Sequence, residues 1–216
     1  LGTGDNTLNG VGSGRQENKI VSFLGRASYA YKGKYLLTAS IRADGSARFG
    51  PNKRFGYFPS AAVAWRIYDE DFLKNNRVVS ELKLRASYGV TGNQPTVNYL
   101  YFSTYSAGRN AVFNGNKVSS LQPSRSANPD LQWEAAVQAD IGVDFGFFNS
   151  RLTGSIDYYN RKTSNLLYDI PQPASTGFGS RTENVGSMRN TGLELALKAV
   201  IVNQKDVRFD AGFNIT

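Results

Sequence analysis

The polar side chains with the widest hydrogen-bonding reach gather at a few places along these 216 residues. Arg42 and Asp44 stand two positions apart, ahead of Arg48, Lys53 and Arg54. Asn93 and Gln94 are adjacent, and Tyr105, Arg109, Asn110 and Asn114 share a stretch rich in Gly, Asn and Ser. Amides, guanidinium groups and carboxylates offer the multiple hydrogen bonds that polyhydroxylated or peptide solutes match. Asn93, Gln94, Tyr105, Arg109, Asn110 and Asn114 are therefore candidate substrate contacts, with Trp133 as an aromatic platform at the end of the same segment. Arg42, Asp44 and Arg48 suit a structural role better, pinning a loop to the element beneath it by charge-assisted bonds.

Catalytic chemistry finds little support. The chain has no His and no Cys, and no nucleophile stands beside a base, so no enzyme, catalytic residue or cofactor is expected. The run Asp69, Glu70, Asp71 reads as a solvated turn rather than a metal site. Gly2-Thr3-Gly4-Asp5 and Gly10-Val11-Gly12-Ser13-Gly14 lack the preceding strand and following Lys-Ser/Thr of a phosphate loop, and read as an outer loop.

The elements that must hold these residues announce themselves by a two-residue rhythm. From Trp133 to Phe147 every odd position is apolar, while Glu134, Gln138, Asp140 and Asp144 lie between. Alternation sorts such side chains onto opposite faces of a strand. The run is long enough for a tilted strand to cross a bilayer, with Val137 at mid-membrane. The same pattern recurs about eight times: 21–31, 35–44, 57–67, 82–90, 133–147, 152–158, 193–199 and 207–215.

Mean hydropathy is −0.38, and no apolar run is long enough for a transmembrane helix. A barrel of amphipathic strands reconciles that polarity with a membrane, because its backbone pairs between strands and its lumen is wet. The 12 Tyr and 13 Phe gather near strand ends, as an interfacial girdle requires. Links at 32–34, 148–150 and 202–206 are short, whereas those at 44–56, 92–130 and 164–187 are long. A connection of middle length, 68–80, falls with the short ones by parity, and Asp69–Leu73 is expected to form one helical turn. The net charge of +8 is scattered among acids with no basic stripe, so nucleic acid is not an expected partner. A basic lumen or mouth fits better.

Several long motifs carry a family resemblance. Leu37 through Ser60, including Arg42-Ala43-Asp44-Gly45-Ser46-Ala47-Arg48-Phe49-Gly50, resembles the signature of SusC/RagA-type TonB-linked outer-membrane transporters of Bacteroidetes. So do Leu82 through Gln94, Asn128-Pro129-Asp130-Leu131-Gln132-Trp133-Glu134, Asp144 through Tyr159, and Asn184 through Asn190. The resemblance implies an all-β, antiparallel, up-and-down barrel of about 22 strands with a plugged lumen. This chain would be an internal slice of it, about eight strands that form an open curved sheet when alone, without plug or barrel ends. It further implies import of glycans or peptides across the Gram-negative outer membrane, with outer-membrane lipid around the wall, a SusD-like surface lipoprotein as lid and the TonB complex as partner. Two alternatives stay open on the residues alone: a passive porin or adhesin-type barrel, and a soluble β-rich carbohydrate-binding module.

Overall fold

A computed structural model describes residues 15–73, 76–108 and 111–216. Its dominant element is an eight-stranded antiparallel sheet. The strands are β1 (Ile20–Tyr31), β2 (Tyr35–Ser46), β3 (Phe55–Arg66), β4 (Val79–Asn93), β9 (Glu134–Phe147), β10 (Leu152–Ser164), β13 (Ser187–Asn203) and β14 (Arg208–Ile215), paired in that order. Each of the eight alternating segments becomes one of these strands, and the sheet is open, with β1 and β14 at its edges.

Parity holds. The connections 32–34, 67–78, 148–151 and 204–207 lie at one end of the sheet, and 47–54, 94–133 and 165–186 at the other. Sharp backbone makes the short turns possible. Lys32 and Gly33 take left-handed conformations, and Lys34 donates its N–H to the Tyr31 carbonyl at 3.0 Å. Between β9 and β10 three successive non-glycine residues, Phe148, Asn149 and Ser150, are all left-handed, with φ of 56°, 55° and 60°. Such backbone persists only where its surroundings fix it; here Ser80 Oγ accepts the Ser150 N–H at 2.9 Å and Val78 O accepts that of Phe148 at 2.8 Å. In the 67–78 connection the helical turn is a 3-10 turn at Ile67–Asp69, slightly ahead of its expected place.

The long connections are not irregular. Residues 94–133 form β5 (Thr104–Ala107), β6 (Ala111–Phe113), β7 (Asn116–Val118) and β8 (Leu121–Ser126), and 165–186 form β11 (Leu167–Pro171) and β12 (Ser180–Asn184). These build a second sheet, β11-β12-β8-β5, and a ribbon β6-β7. The two connections are tied together by a parallel pairing of β8 with β12.

Register fixes what faces what. Facing residues on neighbouring strands share a side of the sheet, so one outward row runs Tyr29, Leu37, Val63, Ala86, Ile141, Tyr158, Leu193. The opposite face carries Thr38, Ser40, Ser60, Ser87, Gln138 and Asp140, which line a polar trough of about 450 Å³. Two assignments change. Val137 is not central in the apolar band, because its partner on β10 is Lys162; Ile141, between Ala86 and Tyr158, takes that place. Trp133 lies before β9 begins and leaves its alternation, being only 8 % exposed under the loops.

Candidate functional site

An open membrane sheet buries little against itself, and its fully enclosed side chains sit at the long-loop rim. Phe49 and Leu131 have no exposure, and Phe58 and Trp133 join them. The ring centres of Phe49 and Phe58 lie 4.8 and 5.5 Å from that of Trp133. The cause is a gap in the sheet. The β3–β4 ladder ends at Ser60 opposite Gly89, next to Pro59, which has no N–H to continue it. The aromatic cluster occupies that rim, with Val90, Leu100, Tyr101 and Leu167 against it.

Backbone bonds complete the latch. Gly50 N–H donates to Leu131 O at 3.2 Å, and Trp133 Nε1 donates to Arg54 O at 3.0 Å. Gly50 approaches Pro129 so closely that a Cβ would overlap the Pro129 carbonyl. Asn128 Nδ2 reaches Thr182 O at 2.8 Å, joining the second long connection to the first. Two stretches far apart in the chain, around Phe49 and around Asn128–Trp133, thus form one packed unit.

The expected loop motif lies beside this latch. Arg42 Nε donates to Asp44 Oδ2 at 2.7 Å, and the guanidinium stands 5.7 Å from the centre of the Phe58 ring. Asp44 is buried, and its Oδ1 has no hydrogen-bond partner among the described residues. Arg48 donates from Nε to Asn98 Oδ1 and from Nη1 to Pro95 O, both at 2.8 Å. Gln94 Oε1 accepts from Ser46 Oγ at 2.8 Å. Asn93 Nδ2 donates to Glu134 Oε2 at 2.7 Å, while Glu134 Oε1 accepts the Leu167 N–H at 2.9 Å.

The six candidate substrate contacts therefore fall into three groups. Asn93 and Gln94 are bonded to neighbouring loops and strands. Tyr105, 61 % exposed on β5, and Asn114, at the left-handed turn of the β6–β7 ribbon, present free surface. Arg109 and Asn110 lie outside the described residues, as does the Gly-rich segment 2–14. Trp133 is enclosed by Phe49 and Phe58 and offers no open ring face.

Deeper on the polar face, Arg85 grips both oxygens of Asp144 from Nε and Nη2 at 2.8–3.0 Å, and Nη2 also reaches Asp157 at 2.9 Å. This second bond crosses β9 above Gly142, where a Cβ would fall inside the Asp157 carboxylate. Glycine at 142 is what lets one guanidinium bridge three strands.

At the short-turn end the acidic run is a tie, not a solvated cap. Glu70 accepts from Lys34 Nζ at 2.8 Å, Tyr35 OH at 2.8 Å and Trp65 Nε1 at 3.0 Å, while Asp69 pairs with Arg66 at 2.9 Å. The Lys34 bond, with those from Tyr35 and Trp65, holds the Glu70 carboxyl down at about 2; the same bond raises Lys34. A carboxylate lowered in the folded state contributes stability above its unfolded value, near 4.5, and loses it as pH falls toward 2. Glu70→Gln is expected to flatten the pH dependence of thermal unfolding between about 4.5 and 2 relative to wild type. Parallel curves for the two proteins would refute the tie. Among the described residues no group of three or more Asp or Glu is placed to hold a metal ion.

Comparison with known proteins places this geometry. The family model for the β-barrel of TonB-dependent receptor-like proteins matches residues 2–216. TonB-dependent receptor P39 of Formosa agariphila is 38% identical over 209 residues, covering 97% of this chain and 20% of that protein. TonB-dependent receptor SusC of Bacteroides thetaiotaomicron is 39% identical over 204 residues, covering 92% and 20%. Among solved structures, the RagAB peptide importer in the open-open state superposes with a TM-score of 0.81 at 34% identity, over 96% of this chain and 23% of that one. The chain spans about a fifth of the length of the curated relatives it matches. With an apolar outward face, a polar inward face, short turns at one end and layered loops at the other, the chain belongs to the TonB-dependent receptor family of outer-membrane β-barrels.

Proposed function

We propose that residues 1–216 are a stretch of barrel wall in a TonB-dependent importer of large nutrients, with loops that help form its outer mouth. The observation that carries this is the loop layer. Both long connections leave the sheet at the same end, pair with each other through β8 and β12, and are anchored by the Phe49–Trp133 latch. Similarity to a peptide importer supports an oligopeptide as the solute, and the resemblance of the motifs to SusC/RagA-type transporters implies an oligomeric glycan as the other candidate. The resemblance to SusC/RagA-type transporters implies a surface lipoprotein as partner, and the family supports TonB as the source of energy.

Within this reading roles divide by depth in the loop layer. Arg42, Asp44 and Arg48, with Asn93 and Gln94 bonded beside them, fix the base. Tyr105 and Asn114 offer their side chains to solute; Arg109 and Asn110 join the proposal on residue type alone. Growth on a panel of oligosaccharides and oligopeptides as sole carbon source tests the division. Tyr105→Ala is expected to slow uptake at unchanged barrel abundance, whereas Arg42→Ala lowers the amount of folded barrel. Uptake that ignores Tyr105→Ala but falls with Arg42→Ala at normal abundance would reverse the assignment.

A further inference from the structure

A cavity of about 300 Å³ lies between the loop layer and the loop end of the polar face, at the lower end of the size range of ligand pockets. Asn93 on β4 stands there opposite Glu134 on β9, and the remaining lining comes from residues 95–100 and from β11 and β12. Two carboxylates line it, Glu134 and Asp169, together with apolar surface from Val97, Leu100 and Leu167. Hydrogen bonds hold both acids in place. Asn93 Nδ2 and the Leu167 N–H each donate to one oxygen of Glu134, and the hydroxyl of the buried Thr182 donates to Asp169 Oδ1. Asn184, on the strand that carries Thr182, ties that strand to the start of β9: it accepts the Gln132 N–H at 2.9 Å and donates to Gln132 O at 2.8 Å. Two acids from distant stretches of the chain are thus fixed around one space.

Elsewhere the wall matches its acids with cations: Asp144 has Arg85 and Lys83, and Glu70 has Lys34. Among the described residues no Lys or Arg lines this cavity, and neither Glu134 nor Asp169 forms an ion pair. In a chain of net charge +8 the cavity is a place of reversed sign. The groups that donate to the two acids are all neutral, so both negative charges remain to be met. A cation with several N–H groups is the complement of such acceptors. The apolar surface beside them selects further, because long basic side chains carry an alkyl stem beneath the charged head.

We infer that this cavity receives a basic side chain of an oligopeptide solute, with the ammonium or guanidinium at Glu134 and Asp169 and the stem along Val97, Leu100 and Leu167. The assignment rests on the importer reading and narrows it to one class of solute. An acidic side chain is repelled here. A neutral sugar ring turns hydroxyl lone pairs toward carboxylate oxygens and polar edges toward leucine, and both cost binding. An amino sugar supplies the ammonium without the stem. The place suits capture at the mouth, since Glu134 alternates onto the same face as Gln138 and Asp140, which line the polar trough of the wall.

The test is calorimetric titration of the intact protein, purified in detergent from outer membranes, with three probes. The first is an N-acetylated, C-amidated pentapeptide with a single lysine among glycines and serines. The second has norleucine in place of the lysine, and the third is a trimer of glucosamine. Wild type is expected to bind the lysine peptide roughly tenfold more tightly than either of the others, the scale of one hydrogen bond to a charged group. Asp169→Asn keeps an acceptor for Thr182 but removes the charge, and is expected to weaken the lysine peptide roughly tenfold while leaving the norleucine peptide unchanged. Glu134→Gln, which keeps an acceptor for the Leu167 N–H, is expected to do the same. Asp169→Glu restores the charge and is expected to keep the preference for lysine, which separates binding from any fault in folding. Equal affinity of wild type for the lysine and norleucine peptides overturns the proposal, as does no measurable binding of the lysine peptide. Unchanged lysine affinity in both charge-removing variants overturns it too, and a glucosamine trimer bound as tightly as the lysine peptide overturns the role of the stem. Uptake does not enter this readout, so each of these failures leaves the importer reading, which the growth panel tests, standing.

Discussion

Phe49→Ala is expected to destabilise the folded barrel by about 3–5 kcal/mol, the usual cost of removing a fully buried phenyl ring. Phe49 has no exposure and packs on Trp133 and Leu131 at the rim. Its removal leaves a cavity that backbone bonds between Gly50 and Leu131, and between Asn52 and Pro129, prevent from collapsing. The loss is measured by denaturant unfolding of the purified protein in detergent, or by the temperature at which its folded form disappears from unheated gels. Val112→Ala, on a ribbon position 70 % exposed, is expected to change stability by no more than about 0.5 kcal/mol. Similar losses for the two variants would remove the latch from the account.

Ile141→Arg is expected to cost about 2–4 kcal/mol, the penalty of a cation at the midplane of a membrane barrel's outer face. Ile141 stands in the outward row between Ala86 and Tyr158, with Leu193 one strand further. Gln138→Arg puts the same charge on the polar face, beside Asp140, whose Oδ1 already accepts from Gln138 Nε2 at 2.9 Å, and is expected to cost little. Val137→Arg falls between them, since Lys162 already marks the edge of the band beside it. The folded yields of the three variants in outer-membrane preparations check the order. Equal loss from Ile141→Arg and Gln138→Arg would mean that the faces are assigned wrongly.

The eight wall strands were legible because alternation over ten or more residues has few physical explanations, and loop-length parity gave an independent constraint on topology. The six loop strands were not, because each is three to six residues long, too short for alternation to show, and β8 and β12 pair with each other only through the tertiary fold. Leu121–Ser126, for example, pairs with Thr104–Ala107 on one side and with Arg181 on the other. Trp133 was misread because alternation was extended one residue beyond the strand. The useful signal was the aromatic content of the motifs themselves: Phe49 and Phe58 stand beside Gly and Pro, and Trp133 follows Asn128-Pro129-Asp130, where an aromatic needs a packing partner. Glu70 was hidden for a different reason. Its three donors come from two other strands and a turn, and a three-carboxylate run looks the same in sequence whether solvated or bonded. Asn93 and Gln94 show the same ambiguity, since an amide that holds a loop and an amide that meets a solute are the same residue type.

The seam between β4 and β9 has a consequence for how the wall assembles. β1 to β4 are joined by connections of at most a dozen residues, and the β9–β10 turn is four residues long, so these hairpins close with small entropic cost. In contrast, β10 and β13 pair across the twenty-two residues 165–186, and β4 and β9 across the forty residues 94–133. Each contact must await the collapse of the segment between. The sheet is then expected to come together as three preformed ribbons, β1–β4, β9–β10 and β13–β14, zipped along two late lines, and the line closed across the longer excursion is where Arg85 clasps Asp144.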